Sequence, residues 1–184
     1  MMVKPGFGIG IALGVVATVL LALAVWLIVV YTGVYNVAAT DPHADVVRWT
    51  FDTTMHRSVR GRAEDIQEPE EVSAQSIAAG AKTYASTCAH CHGAPGAERE
   101  HWATNIRPQP PELAHAAAKW KAREVFWIAK HGIKMTGMPA FGPEHSDEAL
   151  WGIAAFVKQL PGMTPEAYQA ATAGAGHGHS AANQ

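Results

Sequence analysis

The chain has 184 residues, a net charge of −2 and a charged fraction of 16%. That balance excludes the strong positive field of a nucleic-acid-binding protein, so we expect no nucleic-acid partner. With only Cys88 and Cys91, the chain can form neither a disulfide-rich scaffold nor a four-cysteine zinc site.

The first predicted element is an apolar helix near the N-terminus. Phe7 to Tyr31 is a run of 25 residues without Asp, Glu, Lys or Arg. A helix of that length reaches about 37 Å, more than the roughly 30 Å of a bilayer's hydrocarbon core. Residues 1–35 are therefore predicted to be a transmembrane anchor, with residues 7–31 in the membrane. Cleavage near Val37-Ala38-Ala39, as in a signal sequence, is the alternative.

Three glycines of this segment, Gly6, Gly10 and Gly14, recur every four residues and share one helical face. Small residues at that spacing allow a second membrane helix to approach closely. Glycine is also common in membrane helices generally, so a partner helix at this face and a face without a partner both stay open.

Residues 36–71 are predicted to connect the anchor to the rest of the chain. Asp41-Pro42 is typical of a helix start. Four apolar residues then recur at a spacing of four: Val47, Phe51, Met55 and Val59. Arginines lie among them and an acidic run follows, which predicts a short amphipathic helix and an extended linker. The helix could lie near the membrane surface or serve as a solvated spacer.

Residues 72–161 are the part of the chain that can build a core, and their pattern predicts an all-α fold. Helical regions are expected at about 73–87, 112–131 and 146–160. Gly132 is a plausible C-terminal cap of the second region, and Ser146 is the predicted N-cap of the third.

Residues 162–184 are predicted to be a tail. Thr164-Pro165 opens one short helix, and the low-complexity end is expected to be disordered. His177 and His179 in that end could bind a metal weakly, but an ordinary polar tail is the preferred interpretation.

The run Cys88-Ala89-His90-Cys91-His92 has the pattern C-x-x-C-H, to which c-type haem is covalently attached. Two thiols at i and i+3 lie on one side of a helical turn and can form thioethers to the same haem. His92 then follows as a proximal iron ligand. A thioredoxin-like dithiol, a zinc site with remote histidines and a structural thiol pair are the alternatives. The first lacks a βαβ setting, and the last does not explain His92.

The surroundings of this motif resemble the class I cytochrome c family, in its small single-haem bacterial form, over roughly residues 76–161. Gly80 and Tyr84 precede the first cysteine at steps of four, as in that family. The resemblance implies a small class I cytochrome c haem domain, residues 72–161, behind one N-terminal transmembrane helix. It also implies that the helix of Gly80 crosses the C-terminal helix near Trp151 and Ala155.

The run from Gly137 to Gly142, GMPAFG, resembles the distal-ligand loop of the same family. The resemblance implies Met138 as the second axial ligand of the iron, through its thioether sulfur. Met135 is the main competitor, and His131 and His145 are less favoured. Iron ligated on both sides has no open position, which argues against catalysis.

Arg107 to Leu113 resembles the family's proline-rich stretch, in which a backbone carbonyl accepts a hydrogen bond from the proximal histidine. We assign that carbonyl to Pro110, with a proline-rich loop that lacks the contact as the alternative. Six lysines are candidates for a basic rim that steers acidic partners, although ordinary solvated lysines explain them equally well: Lys82, Lys119, Lys121, Lys130, Lys134 and Lys158.

These features predict a membrane-tethered electron carrier, not an enzyme, with one covalent haem c bound through Cys88, Cys91, His92 and Met138. It is expected to serve redox partners at the periplasmic face of the bacterial inner membrane. Arginines after the anchor favour a cytoplasmic domain instead, but haem attachment outside the cytoplasm, which the resemblance implies, outweighs them. The alternative function is the haem c subunit of a larger membrane-bound oxidoreductase.

Overall fold

A computed structural model describes residues 5–173 of the chain, with the surroundings of side chains from residue 8 onward. The expectations for a disordered end, for His177 and His179, and for the environment of Gly6 lie outside the described residues. The described part divides into two compact units on either side of the Asp41–Pro42 bond.

The first unit contains one long helix, α1, Pro5–Thr32. Its segment Gly8–Thr32, 25 residues, is long and apolar enough to cross a membrane. The hydroxyls of Thr18 and Thr32 donate to carbonyls one turn earlier, at 2.9 and 2.6 Å, which is how a membrane helix satisfies such groups. A Cβ added at Gly10 or Gly14 would meet no atom within 4 Å, so that face of the helix is open.

The second unit is built from short helices. They are α2 (Asp45–Ala63), α3 (Ala74–Thr83), α4 (Ala89–His92), α5 (Leu113–Ala116), α6 (Ala122–His131), α7 (Asp147–Gln159) and α8 (Pro165–Thr172). A π-helical turn, Tyr84–Cys88, joins α3 to α4, and 3-10 turns cover His101–Asn105 and Ala117–Lys119. Residues 5–173 contain no strand beyond an isolated bridge between Ala94 and Ala97, so the predicted all-α class is confirmed.

The centre of this unit is the crossing of α3 and α7, which glycines make possible. A Cβ on Gly80 would overlap the backbone of Gly152, and one on Gly152 would overlap the backbone of Ser76. The two backbones therefore touch directly, beside Trp151, where the resemblance led us to expect the crossing.

Aromatic rings fill the core around the crossing. Tyr84 and Phe156 are 0% and 1% exposed and meet edge to face, with ring centroids 5.6 Å apart. Phe126 of α6 stacks on Trp151 of α7 at 4.3 Å. Stacked and edge-to-face pairs at these distances add to the free energy gained by burying the rings.

α2 differs from the predicted connector, because its C-terminal half packs on α6 as part of the second unit. It begins at Asp45, not at Asp41, and Ala44 at its N-cap supplies no side-chain hydrogen bond. Val59 is 1% exposed, and His56 stacks on Trp120 with ring centroids 4.6 Å apart. This half of α2 is a core element and not a solvated spacer.

The second predicted helical region is broken at Trp120, between the 3-10 turn and α6. Lys158 of α7 fixes the break by donating to the carbonyl oxygens of Ala117, at 2.7 Å, and Trp120. Lys130 likewise pairs with Asp147 at 2.6 Å. Lys158 and Lys130 are therefore not ordinary solvated lysines, because partners within the domain bind both ammonium groups.

α8 begins as the sequence predicts. The Thr164 hydroxyl accepts a hydrogen bond from the amide of Ala167 at 3.2 Å, an N-cap contact. Tyr168 then packs near the rings of Tyr84 and Phe156, with centroids 6.3 and 6.2 Å away. The first part of the predicted tail is thus docked on the core.

Candidate functional site

The C-x-x-C-H motif lies on a tight turn that the surrounding structure fixes at both ends. Cys88 ends the π-helical turn, and Cys91 and His92 lie on α4. The hydroxyl of Tyr84, the first residue of the π-helical turn, donates over 2.7 Å to the carbonyl of Gly93, the residue that follows α4. This bond joins the two ends of the segment that carries the motif. Gly93 has a φ of +68°, a left-handed conformation that suits glycine and ends α4.

The two thiols are half-buried and form no disulfide. Burial, with a smaller effect of Cys91, raises the pKa of Cys88 to about 12, and burial also raises the pKa of Cys91. Over the described residues 8–173, no group of three or more His, Cys, Asp and Glu side chains is arranged to hold a metal ion. The zinc alternative therefore finds no ligand set in this part of the chain.

The imidazole of His92 is fixed by a backbone carbonyl. Its Nδ1 lies 2.8 Å from the carbonyl oxygen of Pro111. Since a carbonyl only accepts, Nδ1 carries the proton and Nε2 keeps a lone pair for a metal. Burial lowers the pKa of His92, the Pro111 bond opposes that shift, and the charge of Arg99 adds to it. The net shift favours the neutral imidazole, the form that binds metals.

The partner of His92 is one residue later than the sequence assignment. Pro110, the residue we assigned, has its carbonyl bound to the guanidinium of Arg99 instead. Successive carbonyls of an extended chain point in different directions, so only one of two neighbouring prolines can face His92. The proline-rich pattern does not indicate which of the two carbonyls faces His92.

Met138 lies in a loop that hydrogen bonds fold back on itself. Its carbonyl accepts from the amide of Ile133 at 3.2 Å, and its own amide donates to the Thr136 hydroxyl at 3.1 Å. That hydroxyl in turn donates to the carbonyl of Ile133 at 2.7 Å. Gly132, with a φ of +65°, opens the loop at a point where a Cβ would overlap Pro139. Met138 is half-buried as a result.

The competing ligands are placed differently. Met135 has a φ of +61° and is 78% exposed. His131 is exposed beside the ring of Trp127, and Nδ1 of His145 lies 3.3 Å from the carbonyl oxygen of Phe141. Met138 and His145 are thus half-buried, whereas Met135 and His131 are exposed.

The comparison with protein families agrees with this chemistry. Residues 75–157 match the family described as cytochrome c oxidase, cbb3-type, subunit III. The match spans the C-x-x-C-H motif, the proline-rich loop and Met138. This domain is a class I-like c-type cytochrome. No curated protein and no solved structure matches the chain.

The cytochrome domain carries a covalently bound haem c and functions in electron transfer. When bound, the haem supplies an iron that takes up and releases single electrons. The residues present fit that group: two thiols one turn apart would hold it, and an oriented neutral imidazole would ligate it. α1 is compatible with a membrane anchor for the cytochrome.

Sequence reasoning missed two contributors to the site. Arg99 carries no motif, and its role follows from contacts with residues more than ten positions away. Pro111 was passed over for Pro110 because the two neighbours are chemically identical. Neither residue has a signal in a single sequence that would have identified it.

Proposed function

We propose that the protein is a membrane-tethered cytochrome that carries single electrons between redox partners at the membrane. The observation that supports this proposal is that one chain contains both a cytochrome domain and the apolar helix Gly8–Thr32. An anchor keeps the carrier close to membrane partners and raises its effective concentration there.

We further propose that His92 and Met138 are the axial ligands of the iron. The fixed Nδ1 of His92 and the half-buried position of Met138 support this pair. Histidine–methionine ligation raises the reduction potential, which suits an electron carrier. With both axial positions filled, the iron has no site for a substrate, so the chain itself acts as a carrier and not as an enzyme.

The cytochrome domain is proposed to face the periplasm of a bacterial inner membrane. Covalent haem attachment in the class I cytochrome c family takes place outside the cytoplasm, so a domain with this motif belongs there. Protease treatment of intact spheroplasts tests this side directly. The haem-bearing fragment should be cut from the anchor, whereas protection until the membrane is broken would place it in the cytoplasm.

A second candidate function is the haem c subunit of a larger oxidoreductase. The description of the matching family, an oxidase subunit III, favours it, as does the spacing of Gly10 and Gly14 on one face of α1. In that case a partner membrane helix would cover the glycine face, and the catalytic centre would lie on another chain.

A haem-stained native gel of gently solubilised membranes separates the two functions. A stained band near the size of the single chain with its detergent supports the tethered carrier. A stained band at much higher mass supports the fixed subunit, and the co-migrating chains identify its complex. A Cys88→Ser/Cys91→Ser variant is the matched control and should not stain. Wild-type protein that is present but unstained contradicts both functions.

A further inference from the structure

The loop after the haem motif folds back and brings Arg99 beside it. Ala94 and Ala97 exchange two backbone hydrogen bonds of 2.9 Å, and the amide of Glu100 donates to the carbonyl of His90 at 2.9 Å. These bonds hold the backbone on both sides of Arg99. Its side chain is only 9% exposed, although it bears a full charge. A buried guanidinium is costly unless its donors are paired.

The partners of Arg99 are the two residues that flank Pro111. One guanidinium nitrogen donates to the carbonyl of Pro110, and another donates to a carboxylate oxygen of Glu112 at 3.0 Å. Pro111, between them, provides the carbonyl that accepts from Nδ1 of His92. One planar fork therefore holds both neighbours of the residue that orients the proximal histidine.

This stretch of chain needs an external support. Pro108, Pro110 and Pro111 have no N–H, so they cannot donate backbone hydrogen bonds that would fix the loop. The stretch also lies outside regular structure, between the first 3-10 turn and α5. The carbonyl of Glu112 accepts from the amides of His115 and Ala116 at the start of α5, and the carbonyl of Pro110 accepts from the side chain of Arg99.

We propose that Arg99 is a positioning residue for the proximal ligand: its guanidinium fixes the Pro110–Glu112 segment so that the Pro111 carbonyl stays on Nδ1 of His92. The inference rests on the proposed function in one respect, that His92 ligates the iron. In this role Arg99 acts through the backbone that it holds. The hydrogen bond in turn sets the ring orientation and basicity of the ligand.

Exchange of the His92 Nδ1 proton in the reduced, haem-loaded full-length chain in detergent measures this effect by proton NMR. Arg99→Lys keeps the charge but replaces the fork by a single ammonium, which cannot hold both flanks. We expect the proton to exchange at least about tenfold faster in this variant, since a charge-assisted hydrogen bond is lost. Glu112→Gln keeps an oxygen that can accept from Arg99 but removes its charge, so it weakens one flank only and should give a smaller increase.

Arg107→Lys is the matched control. Arg107 begins the same proline-rich loop and also binds carbonyls, those of Thr104 at 2.7 Å and Ile106 at 3.0 Å, but it does not hold residues 110–112. In this variant the His92 Nδ1 proton should exchange at the wild-type rate. The amide of Leu160 in the core should keep its protection in every variant, which separates loss of positioning from general loosening.

The outcomes distinguish this inference from the proposed function. Wild-type chain without covalent haem stain refutes the proposed function. Haem-loaded Arg99→Lys and Glu112→Gln variants that exchange at the wild-type rate overturn the role of Arg99 alone. If Arg99→Lys does not load haem, Glu112→Gln carries the test: faster exchange supports the proposal and an unchanged rate overturns it.

Discussion

At the scale of single residues, the backbone places the two candidate methionine ligands in different surroundings. Met135 and Met138 are chemically identical and three residues apart, but Met135 is 78% exposed at a left-handed φ. Met138 is held by its own amide and carbonyl, through Thr136 and Ile133. Side-chain chemistry alone could not have separated the two.

Met138→Ala should therefore open the sixth position, and Met135→Ala should not. We expect ferrous Met138→Ala to bind carbon monoxide, and its ferric form to lose the weak long-wavelength absorption band of methionine-bound iron. The wild type and Met135→Ala should show the band and resist carbon monoxide. Absorption spectra of the purified haem proteins measure both properties. Carbon monoxide binding by the wild type would contradict the ligand assignment.

Local chemistry was predictable from the sequence, and chemistry built by distant contacts was not. The helical turns that bring Cys88, Cys91 and His92 together could be predicted from their spacing. The Pro111–His92 bond joins residues 19 positions apart. A single sequence contains no record of which of two neighbouring prolines faces the histidine, so the assignment to Pro110 failed by one residue.

At the scale of elements, the crossing of α3 and α7 depends on direct backbone contact. Gly80→Ala places a methyl group inside the backbone of Gly152, which the helices can relieve only by moving apart. Overpacking of this kind costs typically 1–3 kcal/mol, and we expect a loss of about 3 kcal/mol because backbone cannot yield as a side chain does. Denaturant unfolding of the haem-loaded protein measures the loss.

Gly61→Ala is the control for this prediction. Gly61 lies in α2, and a Cβ there would meet no atom within 4 Å. Alanine is the better helix former by about 1 kcal/mol, so this variant should be as stable as the wild type or more stable. Equal losses in Gly80→Ala and Gly61→Ala would show that helix contact at Gly80 is not the cause.

The sequence predicted that α2 is a helix, but it did not predict that α2 packs on α6. The apolar spacing between Val47 and Val59 indicated a helix correctly. Which residues of α2 are buried depends on the elements that pack against it. Phe51, one of the four regularly spaced apolar residues, is 55% exposed, whereas His56 and Ala63 pack inward. Because polar residues, including the histidine stacked on Trp120, take part in this contact, the pattern of apolar residues did not predict it.

Val59→Ala tests whether α2 stabilises the cytochrome domain. The change removes two buried carbon atoms and leaves a cavity, so we expect a loss of about 2 kcal/mol in the free energy of unfolding. Val46→Ala makes the same change on the same helix at a residue that is 67% exposed, and should alter stability by about 0.5 kcal/mol or less. Similar effects in the two variants would mean that α2 does not stabilise the domain.

At the scale of the whole molecule, the chain divides at Asp41–Pro42 into two units whose apolar residues are placed differently. The described part of the first unit contains the apolar helix α1, Pro5–Thr32, and the described part of the second is a helical unit with its own core. The core residues of the second unit are buried by packing within that unit, whereas the apolar side chains of α1 are exposed and suited to a membrane. Cutting the chain between them should therefore leave the haem site unchanged and remove only the tether.

A cleavable version of the full chain measures what the tether contributes. With a specific protease site inserted after Ala39, cut protein should keep the haem spectrum and reduction potential of uncut protein. Its rate of reduction by membranes at equal bulk concentration should fall about 100-fold, because the effective concentration that the anchor supplies is lost. Uncut protein that bears the same insertion is the control. An unchanged rate after cutting would mean that the cytochrome finds its partners by diffusion, and that the anchor serves assembly instead of electron transfer.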